Sequence, residues 1–127
     1  MKLVLQRADG DCGVAALATL TESTYEDIYS AMMAVDPTHC GRSGVHLTQM
    51  IALGKMIGVD LAIKRPWDLD TDEGLLVIRW RRRRKVKLHL VALGSGVIVD
   101  PADGQILAYD DYFTRYKAAP DAFLELR

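Results

Sequence analysis

Cysteine is scarce in this sequence, which has only Cys12 and Cys40 among its 127 residues. Two cysteines cannot form the disulfide framework of a small secreted domain, so nothing favours an oxidising compartment. No apolar run approaches the roughly 18 residues that a membrane helix needs, and the first residues become polar too soon for a signal peptide. These absences predict a cytoplasmic protein without a membrane segment.

An excess of charge of one sign is missing as well, because 16 basic side chains nearly balance 17 acidic ones. The net charge of −1 therefore favours no class of partner. Half of the residues are hydrophobic, which is enough for a compact core and too many for a disordered chain. Since neither a repeat nor an internal linker is visible, we predict a single domain over residues 1–127.

The spacing of apolar residues changes from a helical to a strand period along the chain. The first part predicts helices over 11–20, 25–35 and 47–57. The later part predicts a short helix over 109–116, and strands over 59–63, 75–80, 88–93, 97–100, 106–108 and 122–126. Helices followed by strands are typical of an α+β fold, here with N-terminal helices packed on a C-terminal antiparallel sheet.

Cys12 stands where a polar, turn-prone segment passes into the first predicted helix. Asp11 before it is a good N-cap, because its carboxylate can accept hydrogen bonds from first-turn amides. The positive end of the helix dipole favours the thiolate, which is the nucleophilic form of cysteine. Gln6 offers a carboxamide donor that can form an oxyanion hole with the backbone amide of Cys12. The alternative is that Cys12 is a small apolar residue of a packed helix.

His89 lies in an otherwise apolar strand, where a histidine is unusual unless its ring meets a polar group. In a strand of period two it shares a face with Val91 and Leu93. A tight turn at 94–96 should bring Asp100 back beside His89, where a carboxylate can orient and stabilise the imidazole. A hydrogen-bonded core histidine is the alternative to a catalytic base.

These residues belong to a pattern that extends over nearly the whole chain. The pattern consists of Gln6, Asp11-Cys12-Gly13 before an alanine-rich helix, His89-Leu90-Val91, Asp100-Pro101 and Gly104. It resembles the bacteriocin-processing peptidases, which are papain-like cysteine peptidase domains often found at the front of peptide-exporting ABC transporters. Members of that family cut leader peptides after a Gly-Gly pair.

The resemblance implies a papain-like domain with thiol peptidase activity, without a cofactor, that cuts after small residues such as Gly-Gly. We expect a stand-alone domain here, which departs from the family's usual place in an exporter. It implies one role for each of four residues: Cys12 the nucleophile, His89 the base, Asp100 the orienting acid and Gln6 the oxyanion donor. It also implies three positions that contact the substrate, namely Gly13, Gly44 and Leu90.

Two other functions remain open on the same residues. An isopeptidase that removes a Gly-ended protein tag, or an acyltransferase, would use the same site with a different acceptor. A non-catalytic adaptor would keep the fold and bind a Gly-containing peptide or an acidic partner. The complete set of Gln, Cys, His and Asp argues against the adaptor, because binding alone does not need all four.

Seven of the 16 basic residues lie between Arg79 and Lys87, in the connection between two predicted strands. This run departs from the family pattern. Charge runs are commonly solvated loops, but one this dense can attract an acidic peptide or protein. Trp80 is the only aromatic residue in it, which is too little for a nucleic-acid stacking platform. The expected partner is therefore a peptide or protein substrate of acidic character, not a nucleic acid.

His39, Cys40 and His46 raise the question of a metal site. A structural zinc site normally needs four ligands in paired spacings. Only Asp36 or Cys12 could complete this set, so we predict no metal and a loop that borders the cleft.

Overall fold

Four helices and six strands account for the regular structure in the described part of the chain. A computed structural model describes residues 1–8, 10–37, 46–82 and 85–127, without the side chains of residues 81, 82, 85 and 86. The helices are α1 (Cys12–Thr21), α2 (Tyr25–Val35), α3 (Leu47–Met56) and α4 (Tyr109–Tyr116). The strands are β1 (Leu61–Ile63), β2 (Gly74–Arg82), β3 (Lys85–Gly94), β4 (Val97–Val99), β5 (Ile106–Ala108) and β6 (Ala118–Leu126).

The strands form one antiparallel sheet in the order β1-β6-β2-β3-β4-β5. This confirms the predicted α+β class and the antiparallel sheet. Strand β6 is longer than predicted because it follows β2 through an irregularity, where Val77 faces Ala122 but Ile78 faces Pro120. Proline is tolerated at such a register shift, and Pro120 is the reason why the sequence did not predict a strand before residue 122. None of the helices described in residues 1–8, 10–37, 46–82 and 85–127 is long and apolar enough to cross a membrane.

Both faces of the sheet are covered, which makes three layers. Helices α1 to α3 pack on one face, and α4 packs on the other. Alternate residues of β3 divide between the two, with Leu90 and Ala92 toward the first three helices, and Val91 and Leu93 toward α4. Helix α1 is buried along nearly its whole length, and its alanines allow a close approach to the sheet.

The central hairpin is paired along its whole described length, from Gly74 opposite Leu93 to Arg82 opposite Lys85. Most of the basic run therefore extends the two strands. Strand β4 is much shorter and pairs with β3 only between Ala92 and Gly94. The half of β3 that carries His89 thus has β2 on one side and no described strand on the other. That open edge is where the site lies.

Candidate active site

Cys12 is the first residue of α1 and is 9% exposed. The first intrahelical bond runs from the Ala15 amide to the Asp11 carbonyl, at 3.1 Å. The amides of the first three helical residues have no carbonyl within the helix to bind. Cys12 therefore lies beside N–H groups that have no partner within the helix, at its positive end, where a negative oxygen or sulfur is stabilised.

Asp11 occupies the N-cap position, but its carboxylate does not cap the first turn. Its Oδ2 instead accepts from the amides of Arg7 and Ala8, at 2.9 and 3.1 Å, and from the Tyr25 hydroxyl at 2.6 Å. The prediction of a carboxylate cap was wrong. A capping side chain needs an extended backbone, whereas Asp11 has φ −101° and ψ 17°. The first-turn amides beside Cys12 are consequently not covered by this carboxylate.

His89 and Asp100 form a buried pair, as the hairpin predicts. His89 Nε2 lies 2.7 Å from Asp100 Oδ1, and the two residues are 5% and 2% exposed. The Ala102 amide also donates to Oδ1, at 2.9 Å, and the buried Tyr112 hydroxyl donates to Oδ2, at 2.6 Å. Each carboxylate oxygen therefore has a donor, as a buried charge requires.

Cys12 and His89 lie near each other although the strand period places them on different sides of the sheet. Cys12 belongs to the core on the α1 side, whereas His89 follows the period of Val91 and Leu93 on the α4 side. At the open edge of β3 the two side chains are close enough that Cys12 helps to raise the pKa of His89. Because Nε2 faces Asp100, Nδ1 is the nitrogen left for the sulfur.

The electrostatics of this group favour a charged histidine. Burial by itself would lower the pKa of His89, but hydrogen bonds and charges from Asp100 and Cys12 outweigh it and raise that pKa to about 9. Burial also opposes ionisation of Asp100, yet hydrogen bonds from His89 and Tyr112 hold the pKa of its carboxyl below its usual range. His89 is thus an imidazolium at neutral pH, and its Nε2–H donates to a carboxylate.

Gln6 is held by hydrogen bonds to the segment after Asp100 and to its own loop before Cys12. Its amide donates to the Pro101 carbonyl at 2.8 Å, directly after Asp100 in the chain. Its side-chain Nε2 donates to the Ala8 carbonyl at 3.2 Å. A carboxamide nitrogen carries two hydrogens, so this bond leaves one for an oxyanion. The carboxamide is held within its own loop, and its approach to a tetrahedral intermediate at Cys12 stays a prediction.

The contacts of two aromatic residues with His89 and Asp100 were not predicted from the sequence. The Trp80 ring lies over the His89 ring, with centroids 4.8 Å apart, and covers the imidazole. Tyr112 binds Asp100 from α4. In β2, Trp80 lies two residues after Ile78, which pairs with His89, so the two side chains point to the same face of the sheet. The strand period could therefore have predicted that Trp80 lies on the same face as His89. Nothing in the spacing of Tyr112 indicates that its hydroxyl reaches the end of β4.

The three residues expected to contact substrate have different surroundings. A Cβ on Gly13 would lie 2.9 Å from Met50 Sδ and 3.7 Å from Leu90 Cδ2, so close packing already accounts for this glycine. Leu90 is fully buried, which leaves only its backbone for a substrate. Gly44 lies outside the described residues. The same holds for His39 and Cys40, so the question of a metal there is not addressed by the structure.

Comparison with known proteins adds no independent guide to this site. No protein-family model matches the chain, and no curated protein matches it. Functional assignment therefore depends on the residues and their geometry.

We expect the His89 imidazole to titrate near pH 9, which ¹⁵N NMR of the ring nitrogens can measure. In Asp100→Asn the pKa of His89 should fall well below about 9, because the Asp100 charge is lost while the burial that lowers this pKa remains. The asparagine can direct its NH₂ toward Tyr112, whose hydroxyl can turn to accept. Its oxygen then still accepts from Nε2–H, so the tautomer is kept. An unchanged titration in Asp100→Asn would contradict this account.

The same shift makes stability depend on pH. Since the folded-state pKa of about 9 lies above the ordinary 6.5, the contribution of His89 to the free energy of unfolding is complete below pH 6.5. That contribution is lost as the pH rises through 9. Denaturant unfolding at a series of pH values should show this decline in the parent and a weaker one in His89→Gln. If the free energy of unfolding depended on pH equally in the parent and in His89→Gln, the predicted contribution of His89 would be refuted.

Proposed function

We propose that this protein is a papain-like thiol peptidase that hydrolyses a peptide bond after small residues. The observation that carries the proposal is the buried His89–Asp100 pair, with Cys12 near enough to affect the pKa of His89 and placed first in a helix packed on an antiparallel sheet. A packed structural cysteine does not need an imidazolium partner. A core histidine likewise does not need a cysteine near enough to affect its pKa.

The reaction follows from the placement of these groups. The Cys12 thiolate attacks the scissile carbonyl carbon, and the carbonyl electrons move to the oxygen. The first-turn amides of α1 and the Gln6 carboxamide stabilise that oxyanion. As the C–N bond breaks, the Nδ1 proton of His89 passes to the leaving amine and a thioester remains. His89 then takes a proton from water, whose attack releases the acid product and the thiolate.

The preference for small residues is supported by the burial of the nucleophile. Only 9% of Cys12 is exposed, so little room is left beside it for bulky substrate side chains. A glycine pair needs the least room, and this agrees with the Gly-Gly specificity that the sequence resemblance implies. Bulky residues next to the scissile bond would have to displace well-packed neighbours.

The test uses peptides with an internal Gly-Gly pair, matched peptides with Leu-Leu, and a Gly-Gly peptide ending in an electrophile. The parent should cleave after Gly-Gly and become labelled at Cys12, whereas Cys12→Ala should do neither. Cleavage of only an isopeptide bond, or transfer to an added amine, would favour the deconjugase or the acyltransferase. Binding without cleavage or labelling would leave an adaptor, and the peptidase proposal would fall.

Acidic substrates should be captured faster than neutral ones, because the basic hairpin leads directly to His89. Arg79 and Lys87 are exposed on the described part of the hairpin, and Lys87 is two residues from His89. Exposed charges act over about 8 Å at physiological salt, so the effect falls on association near the cleft. Replacing residues 81–84 with serine should lower kcat/KM for an acidic Gly-Gly peptide at low salt, while kcat changes little.

The matched control removes four exposed cations elsewhere, at Lys2, Lys55, Arg65 and Arg127. This control should change kcat/KM for the acidic peptide much less, and neither variant should affect a neutral peptide. The difference between parent and hairpin variant should close as salt rises. Equal kinetics at every salt concentration would mean that the run is only a solvated extension.

A further inference from the structure

Asp11 is a buried charged residue that the proposed mechanism leaves unused. It is 2% exposed and directly precedes the nucleophile. Three donors converge on its Oδ2, namely the Arg7 and Ala8 amides and the Tyr25 hydroxyl. Because a buried carboxylate is costly unless hydrogen-bonded, three donors on one oxygen indicate that the segment is folded around this group.

A continuous series of hydrogen bonds connects Asp11 to the predicted oxyanion donor. Asp11 holds the Ala8 amide at 3.1 Å, and the Ala8 carbonyl accepts from Gln6 Nε2 at 3.2 Å. The direction of the Gln6 carboxamide thus depends on the Ala8 peptide units, and these depend on Asp11. An oxyanion donor must be fixed before the reaction to be effective, so this support has a catalytic consequence.

The same segment is held from α2 as well. The Arg7 guanidinium lies 4.1 Å from the centre of the Tyr25 ring and pairs with Glu26 at 2.6 Å. Tyr25 thus contacts the segment twice, with its ring under Arg7 and its hydroxyl on Asp11. The Gln6 amide adds the bond to Pro101 on the opposite side. The loop that carries Gln6 is bound at both ends.

We infer that Asp11 is a positioning residue for the oxyanion hole: its carboxylate gathers the Arg7 and Ala8 amides and so directs the Gln6 carboxamide, while leaving the first-turn amides of α1 uncovered. The inference rests on the proposed function for its catalytic consequence. Its structural content, the fixing of the segment before Cys12, can be tested without any substrate.

Three variants separate the contributions. Asp11→Ala removes all acceptors. Asp11→Asn keeps one acceptor oxygen, and its NH₂ can take the place of Oδ1, which has no hydrogen-bond partner among the described residues. Tyr25→Phe removes the hydroxyl but keeps the ring under Arg7. The last two variants retain packing, so they test whether Asp11 fixes the segment before Cys12 even if Asp11→Ala fails to fold.

The first measurement is amide hydrogen exchange by NMR, which needs no activity. Asp11→Ala should speed exchange at Arg7 and Ala8 and shift the side-chain amide resonances of Gln6. The Val4 amide, held by Thr19 Oγ1 at 2.9 Å, is the internal control and should not change. Asp11→Asn and Tyr25→Phe should give smaller changes at the same positions. Unchanged exchange at Arg7 and Ala8 would overturn the inference.

The second measurement is a double-mutant cycle on kcat with Gln6→Ala. Since Asp11 acts through Gln6, Asp11→Ala should cost at most the ~10²–10³ in kcat expected for one oxyanion donor. In the Gln6→Ala background it should cost little more, and Asp11→Asn should recover most of kcat. Additive losses would assign Asp11 a purely structural role and overturn the catalytic part. If the parent turns over no peptide, the proposed function fails, and amide exchange alone decides whether Asp11 fixes this segment.

Discussion

Cys12→Ala should abolish peptide hydrolysis, with a loss on the order of 10⁶ in kcat, as for other nucleophiles of acyl-transfer triads. Among the described helices, Cys12 is the only first residue that affects the pKa of His89. His89→Ala should come close to the same loss, because without His89 the leaving amine has no proton donor. The double variant should be hardly slower than either single one, since the two residues act as a unit.

Controls distinguish lost chemistry from lost structure. Cys12→Ala removes one sulfur from a nearly buried position and should leave the circular dichroism spectrum and peptide binding almost unchanged. Cys40→Ala removes the other cysteine and should keep full activity. Substantial turnover in Cys12→Ala, or additive losses in the double variant, would show that Cys12 and His89 are not a catalytic pair.

Gln6→Ala should lower kcat by ~10²–10³ with little change in KM, the scale for one oxyanion donor. The donor acts on charge that appears only in the transition state, so substrate binding should be nearly unaffected. The backbone bond from Gln6 to Pro101 survives the substitution, which keeps the segment attached. Gln6→Glu, of similar size but without the donor, should be at least as slow.

Gln49→Ala is the matched control. Gln49 is also a half-buried glutamine, but it lies on α3, where its Nε2 donates to Asp36 at 2.7 Å. Its substitution should affect stability slightly and kcat hardly at all. A rise in KM with unchanged kcat in Gln6→Ala would mean that Gln6 binds substrate and that the first-turn amides of α1 stabilise the oxyanion without it.

Local sequence predicted most elements because their apolar periods are strong. Helices over 25–35 and 109–116 and the strand over 106–108 match the structure. The prediction for β6 was too short, because Pro120 lacks the N–H that a strand normally uses and only the register with β2 shows where it fits. The hairpin that joins His89 to Asp100 was predictable too, since a tight turn fixes which residues return opposite each other.

The sequence by itself therefore determined the α+β class, the start of a helix at Cys12, and the pairing of His89 with Asp100. Tertiary structure alone decided the rest: the orientation of the Asp11 carboxylate, the hydroxyls of Tyr25 and Tyr112 that bind the two acids, and the open edge of β3 where the imidazole reaches α1. The physical reason is separation along the chain. Periodicity and turns report contacts between neighbours, whereas a buried carboxylate takes whichever donors packing brings to it.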